Sequence, residues 1–102
     1  MHRDVKPDNM LIAGEDCKLA DFGLCREISN FGPLTDYVST RWYRSPEILL
    51  KVPQYGPAAD IFAAGCVMAE LFLMRPLFPG ANEIDQLNKL CSVLGTPDSS
   101  WD

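Results

Sequence analysis

Hydrophobic and polar positions divide the chain into stretches of different pattern. Residues 2–9, HRDVKPDN, are polar and charged and include a proline, which predicts loop. Met10-Leu11-Ile12 and Cys17-Lys18-Leu19-Ala20 are short apolar-leaning runs on either side of AGED, where Gly14 and Asp16 carry turn chemistry. A small hairpin is predicted there. Two strands this short need something to lie against. From Asp21 to Glu47 no period of 2 or 3.6 is sustained, and Gly23, Gly32, Pro33 and Pro46 interrupt it. A stretch of about 27 residues without regular structure exceeds what compact domains usually hold and points to a functional segment. Phe31, Tyr37, Trp42 and Tyr43 within it argue against simple disorder.

Three helices follow. Pro46 with Glu47-Ile48-Leu49-Leu50 predicts a short one, with Ser45 as N-cap and Pro46 at the first position. A second is expected from near Asp60, placed to cap it, until Arg75-Pro76 stops it. Its run DIFAAGCVMAELFLM is apolar on nearly every side, which predicts burial inside a larger protein. The third, after Gly80, is amphipathic. Ile84, Leu87, Leu90, Cys91 and Leu94 recur at three- and four-residue steps, and Gly95 is placed at C′. GTPDSSWD reads as loop.

Composition narrows the classes. With 47% apolar and 23% charged residues, the 102 positions describe an ordinary globular protein of one domain at most. The net charge is −5, and the second half carries six acidic residues against two basic ones, so no nucleic-acid partner is expected. Cys17, Cys25, Cys66 and Cys91 form no CxxC pair, and His2 is the only imidazole, which speaks against structural zinc. Such cysteine usage fits reducing cytoplasm or nucleus. No apolar leader follows Met1, and the longest apolar stretch, Ile61 to Leu73, is broken by Glu70 and falls short of the roughly 20 residues a bilayer span requires. No membrane insertion is expected. A serine or cysteine hydrolase lacks both a GxSxG elbow and a second histidine.

Chemistry concentrates before Glu47. Asn9 and Asp21 offer hard oxygen ligands of the kind magnesium prefers. Lys6 offers a cation for phosphate, and Asp4 a carboxylate to orient a hydroxyl and accept its proton. The expected hairpin closes the twelve positions between Asn9 and Asp21. Thr35-Asp36-Tyr37 lies near Arg41 and Arg44, and with Arg3 and Arg26 these are more guanidinium groups than solubility demands. Arginine forks match phosphate oxygens, so the segment reads as built to receive phosphorylation. For Asp8, Glu15 and Asp16 solvated loop positions suffice.

HRDVKPDN, then DFG, then SPE resembles the catalytic loop, metal-binding motif and activation-segment end of eukaryotic protein kinases. The ordered set is far more specific than any one motif. The resemblance implies ATP and Mg2+ as cofactors, with Asp4 as catalytic base, Lys6 steadying the transferred phosphoryl group, and Asn9 and Asp21 as metal ligands. It further implies structural parts for His2, for Phe22 and Gly23, for Asp60 holding the catalytic-loop backbone, and for Glu47 pairing with a later arginine. Val5, Asp8 and Ser45 depart mildly from the common pattern and remove no catalytic group. TDYVSTRWYR, RPLFPGANEID and VLGTP are similar to the male-germ-cell-associated, intestinal-cell and MAPK/MAK/MRK-overlapping kinases of the CMGC group. By that likeness phosphothreonine at Thr35 meets Arg3 and Arg26, and phosphotyrosine at Tyr37 meets Arg41 and Arg44. Thr40 contacts Asp4 and Lys6, and Arg44 shapes a pocket for proline after the target residue. Trp42 is read as packing; Tyr43 stays open.

The implied fold class is α+β: a fragment of a protein-kinase-like fold, mainly helical C-terminal lobe with a short β hairpin and activation segment. Residues 1–102 are expected to form a partial kinase domain, from the catalytic loop through the start of the CMGC insert. The N-lobe and the final C-lobe helices are expected to be absent. The implied function is serine/threonine phosphotransfer in the complete protein, proline-directed, with protein substrates and an upstream activating kinase. The alternative is a short kinase product that binds partners and transfers nothing, its bare apolar helix inviting chaperones. Family likeness alone adds the cilium to the expected locations.

Overall fold

The computed structural model describes residues 1–25, 27 and 40–100, so the readings on Arg26, Phe31, Thr35 and Tyr37 lie outside the described residues. Within the polar opening segment, Pro7–Asn9 forms one turn of 3₁₀ helix, closed by the Met10 N–H on the Pro7 carbonyl. Strand β1, Met10–Ala13, pairs antiparallel with β2, Asp16–Leu19, with Met10 opposite Leu19 and Ala13 opposite Asp16. Gly14 supplies the positive φ of 65° at the first position of the two-residue turn, and Asp16 belongs to the strand. The Ala20 N–H donates to the Asn9 carbonyl at 2.8 Å and carries the pairing one step beyond Leu19.

The stretch read as irregular contains a second 3₁₀ turn, Arg41–Tyr43. Helix α1, Pro46–Leu49, opens at Ser45 as expected, but the Ser45 hydroxyl makes no capping bond. The Ser45 main-chain carbonyl accepts the Ile48 and Leu49 N–H groups instead, at 3.1 and 3.2 Å.

Helix α2 covers Ala58–Leu73 and starts earlier than expected. Asp60 is not its cap. The first amides close on Gly56 and Pro57 carbonyls (Ala59 to Gly56, 3.1 Å; Asp60 to Pro57, 3.0 Å), so the Asp60 carboxylate is available to other donors. The helix also stops before the proline. Met74 takes a left-handed conformation, φ 58°, and its N–H donates to the Glu70 carbonyl at 2.8 Å.

Only Ala59, Ala63, Cys66 and Val67 of α2 are buried, a stripe at helical spacing. Ile61, Met68, Leu71 and Phe72 are exposed, so the described residues cover one face of an otherwise apolar helix. Helix α3, Glu83–Leu94, is capped by Asn82, whose Oδ1 accepts the Asp85 N–H at 2.9 Å, and ends at Gly95 with φ 92°. Val5, Tyr43, Leu49, Ala63, Cys66, Val67, Phe78 and Leu90 form the core, with Phe62 stacked on Phe78 at 6.4 Å between ring centroids. The core therefore joins the opening loop, the second 3₁₀ turn and all three α-helices. No helix among the described residues is long and apolar enough to cross a membrane.

Candidate active site

Asp60 organises the opening loop from beneath. Its Oδ2 accepts the His2 N–H at 2.7 Å and its Oδ1 the Arg3 N–H at 2.8 Å. Two adjacent amides held by one carboxylate fix the peptide planes on either side of His2, and charge assistance strengthens both bonds. Arg3 then occupies a left-handed φ of 74°, which costs a branched or long side chain roughly 1 kcal/mol or more. The Arg3 side chain is tied down too: Nε donates to the Tyr55 hydroxyl at 2.8 Å and Nη1 to the Leu24 carbonyl at 3.3 Å. Its guanidinium carbon lies 5.7 Å from the centroid of the Tyr55 ring.

The His2 ring is satisfied on both sides. Nδ1 accepts the Asp4 N–H at 3.1 Å, and Nε2 donates to the Ala20 carbonyl at 2.9 Å. One accepting and one donating nitrogen describe the neutral ring with its proton on Nε2. His2 thus joins the loop to the end of the hairpin, and its ring meets that of Phe22 edge-on at 5.3 Å.

Asp4 is buried, and the same loop builds its surroundings. The Asn9 amide donates twice, to the Asp4 main-chain carbonyl at 2.8 Å and to Asp4 Oδ2 at 3.0 Å. Lys6 Nζ stands 3.7 Å from Asp4 Oδ1. With the nitrogen of Asn9 turned to Asp4, its Oδ1 faces away and makes no hydrogen bond among the described residues. Asp21 follows Ala20, which is bonded to Asn9, so Asn9 and Asp21 stand at the same open end of the hairpin. Asp21 is exposed and strained, φ 57°, and its Oδ1 accepts the Gly23 N–H at 3.3 Å. Phe22 is 63% exposed, and its ring meets the His2 edge.

The remaining sequence-derived positions spread over the second 3₁₀ turn and beyond. Thr40 is exposed, precedes that turn, and makes no hydrogen bond to Asp4 or Lys6 among the described residues. Arg41 Nη1 donates to the Ala81 carbonyl at 3.2 Å, and Arg44 is half-buried. Trp42 is more than packing: its indole N–H donates to the Gly80 carbonyl at 2.9 Å. Tyr43 is buried and donates its hydroxyl to Glu70 Oε1 at 2.8 Å. Burial first, then the bond to Glu70 and its charge, push the Tyr43 phenol well above its usual range. Burial likewise pushes the Cys66 thiol up to about 11. Glu47 is half-buried and makes no side-chain bond among the described residues.

Sequence reasoning missed Tyr55, Glu70, Gly80 and Gln86. Tyr55 sits in a loop without pattern, and Glu70 reads as a blemish in an apolar run. A glycine after proline reads as simple punctuation. Gln86 falls on the polar side of a helical repeat yet is fully buried.

A protein kinase domain model matches residues 1–101. The chain belongs to the protein kinase family. It is 60% identical over 97 residues to cyclin-dependent kinase F-3 of Oryza sativa subsp. japonica, covering 95% of this chain and 22% of that protein. Against serine/threonine-protein kinase ICK of Mus musculus it is 60% identical, covering 94% of this chain and 15% of the relative. Against serine/threonine-protein kinase MAK of Homo sapiens it is 55% identical, covering 97% and 16%. The kinase domain here therefore resembles CMGC-group serine/threonine kinases along nearly its whole length. The chain spans about a fifth or less of the relatives it matches. A short antiparallel hairpin beside a helical region is the part of the kinase fold these residues make.

Proposed function

We propose that the full-length protein transfers the γ-phosphoryl group of ATP to serine and threonine hydroxyls of protein substrates. The single observation that supports this most is the enclosure of Asp4. A buried carboxylate is held by the Asn9 amide at 3.0 Å and approached by Lys6 at 3.7 Å, on a backbone that Asp60 pins. In that position Asp4 orients the acceptor hydroxyl and takes its proton. The hydroxyl oxygen bonds to the γ-phosphorus as the bond to the β–γ bridging oxygen breaks, and ADP leaves with that electron pair. Lys6 balances charge on the moving phosphoryl group.

The donors present suit magnesium. Asn9 Oδ1 and the exposed Asp21 carboxylate are hard oxygens at one end of the hairpin, the chemistry that ion selects. Asn9 and Asp21 are the residues that would hold it, and when bound it supplies positive charge against the phosphate oxygens. Preference for proline after the target residue, and control by an upstream kinase through Thr35 and Tyr37, complete the reading. The arginine-rich run from Arg41 to Arg44 supports both.

The test is phosphate incorporation from radiolabelled ATP by the full-length protein. Asp4→Asn is expected to lower kcat by roughly 10²–10⁴-fold, the span that positioned acid–base groups contribute, while KM for ATP changes little. Paired peptides with proline or alanine after the serine read the sequence preference in the same assay. Undiminished turnover by Asp4→Asn overturns the assignment.

A further inference from the structure

Gly80 and Ala81, between α2 and α3, are gripped from both sides. On one side, Trp42 Nε1 donates to the Gly80 carbonyl at 2.9 Å and Arg41 Nη1 to the Ala81 carbonyl at 3.2 Å. On the other, the Gly80 N–H donates to Gln86 Oε1 at 3.0 Å and the Ala81 N–H to Asp85 Oδ2 at 2.8 Å. Two consecutive peptide units thus tie the first turn of α3 to the 3₁₀ turn that follows Thr40. Gly80 is obligatory in this joint. A Cβ there would collide with Gln86 Oε1 and lie 2.7 Å from Gln86 Cα, so any side chain drives α3 away. Gln86 is fully buried, which makes its bond to Gly80 expensive to lose.

None of these bonds involves His2, Arg3, Asp4 or Asn9. The loop that carries the reacting carboxylate is held from Asp60, whereas Arg41 and Trp42 are held from α3 through Gly80 and Ala81, with Tyr43 tied separately to Glu70 of α2. Resting on the phosphotransfer reading above, we propose that Gln86 is a positioning residue for the protein substrate. Through Gly80 it sets where Trp42, and with it the segment from Thr40 to Arg44, stands against an incoming peptide. Gln86 touches no reacting atom. Its effect therefore separates transfer to a peptide from transfer to water.

The experiment compares two reactions of the full-length protein: phosphorylation of a serine peptide, and hydrolysis of ATP without peptide. Gln86→Leu keeps the volume and removes the acceptor. It is expected to lower kcat/KM for the peptide roughly tenfold, the scale of a small misplacement of a reactant, and to leave ATP hydrolysis unchanged. Gln86→Glu keeps an oxygen for the Gly80 N–H and is expected to recover most of the loss. Trp42→Phe, which removes the indole donor and keeps an aromatic ring in its place, is expected to show the same selective loss, and the double variant no more than the larger single one. Parallel loss of both reactions marks a merely structural residue and overturns the inference, as does an unchanged peptide reaction. A wild-type protein that transfers no phosphate overturns the phosphotransfer reading itself, and this inference falls with it.

Discussion

Asp4, Asn9 and Asp21 were legible because their chemistry is carried by residue type and order within a short span, and the loop and hairpin that place them are local. Tyr55 and Glu70 were not, since each acts on a residue far away in sequence, and Gln86 was not, since its partner is a main-chain N–H on the turn before its own helix. Tyr43 shows the consequence. Its hydroxyl bond to Glu70 crosses 27 positions and sits in a core where neither group is fully hydrated. Both Tyr43 and Cys66 have folded-state values raised above their ordinary ones. Each favours the neutral form, so the stability that goes with burying it is complete below the ordinary value and declines as pH rises above it. For Cys66 the decline runs from about 9 to about 11, and for Tyr43 it begins higher. The urea midpoint of the full-length protein is therefore expected to fall between pH 8.5 and 10.5, and Cys66→Ala to flatten that fall. Tyr43→Phe is expected to cost about 1 kcal/mol at pH 7, because half-buried Glu70 recovers water when its partner is lost. A midpoint independent of pH over that interval contradicts the assignment.

At the level of elements, the three helices and the hairpin were foreseen, while their ends were set by partners outside them. Helix α2 gained its start from Gly56 and Pro57 carbonyls, which released Asp60 to hold the loop. Its end is marked by Met74 in a conformation that sequence rules reserve for glycine. Met74 is 87% exposed, so little packing is at stake. Met74→Gly is expected to raise stability by up to about 1 kcal/mol, as relief of the left-handed strain outweighs the added freedom of the unfolded chain. Thermal unfolding checks this, and a lowered Tm contradicts it. Ser45 gives the opposite lesson. Its position as N-cap was readable, but the capping is done by its main-chain carbonyl, which any residue possesses.

Across the whole molecule, the feature that matters is the uncovered side of α2. Ile61, Met68, Leu71 and Phe72 are each more than 60% exposed, and Ile84, Val93 and Leu94 add apolar surface on α3. Exposed apolar area of this kind calls for cover. Residues 1–102 expressed alone are expected to bind an apolar dye strongly and to incorporate no phosphate. Nothing within them resembles the glycine-rich loop or the strand lysine and helix glutamate that hold nucleotide in kinases. Incorporation that disappears with Asp4→Asn contradicts that expectation.

By itself the sequence determined the family, the hairpin, the helices and the residues proposed to manage phosphate and metal. Those properties follow from residue type, spacing and local periodicity, which act over a few positions. Tertiary structure alone decided which hydroxyl meets Glu70, which indole meets Gly80 and why Gly80 admits no side chain. These bonds span 27 and 38 positions, or depend on a close approach of two backbones, and no local pattern encodes a remote partner. Chain folding chooses among many candidate donors and acceptors by satisfying buried polar groups together, and only the assembled core shows which choice was made.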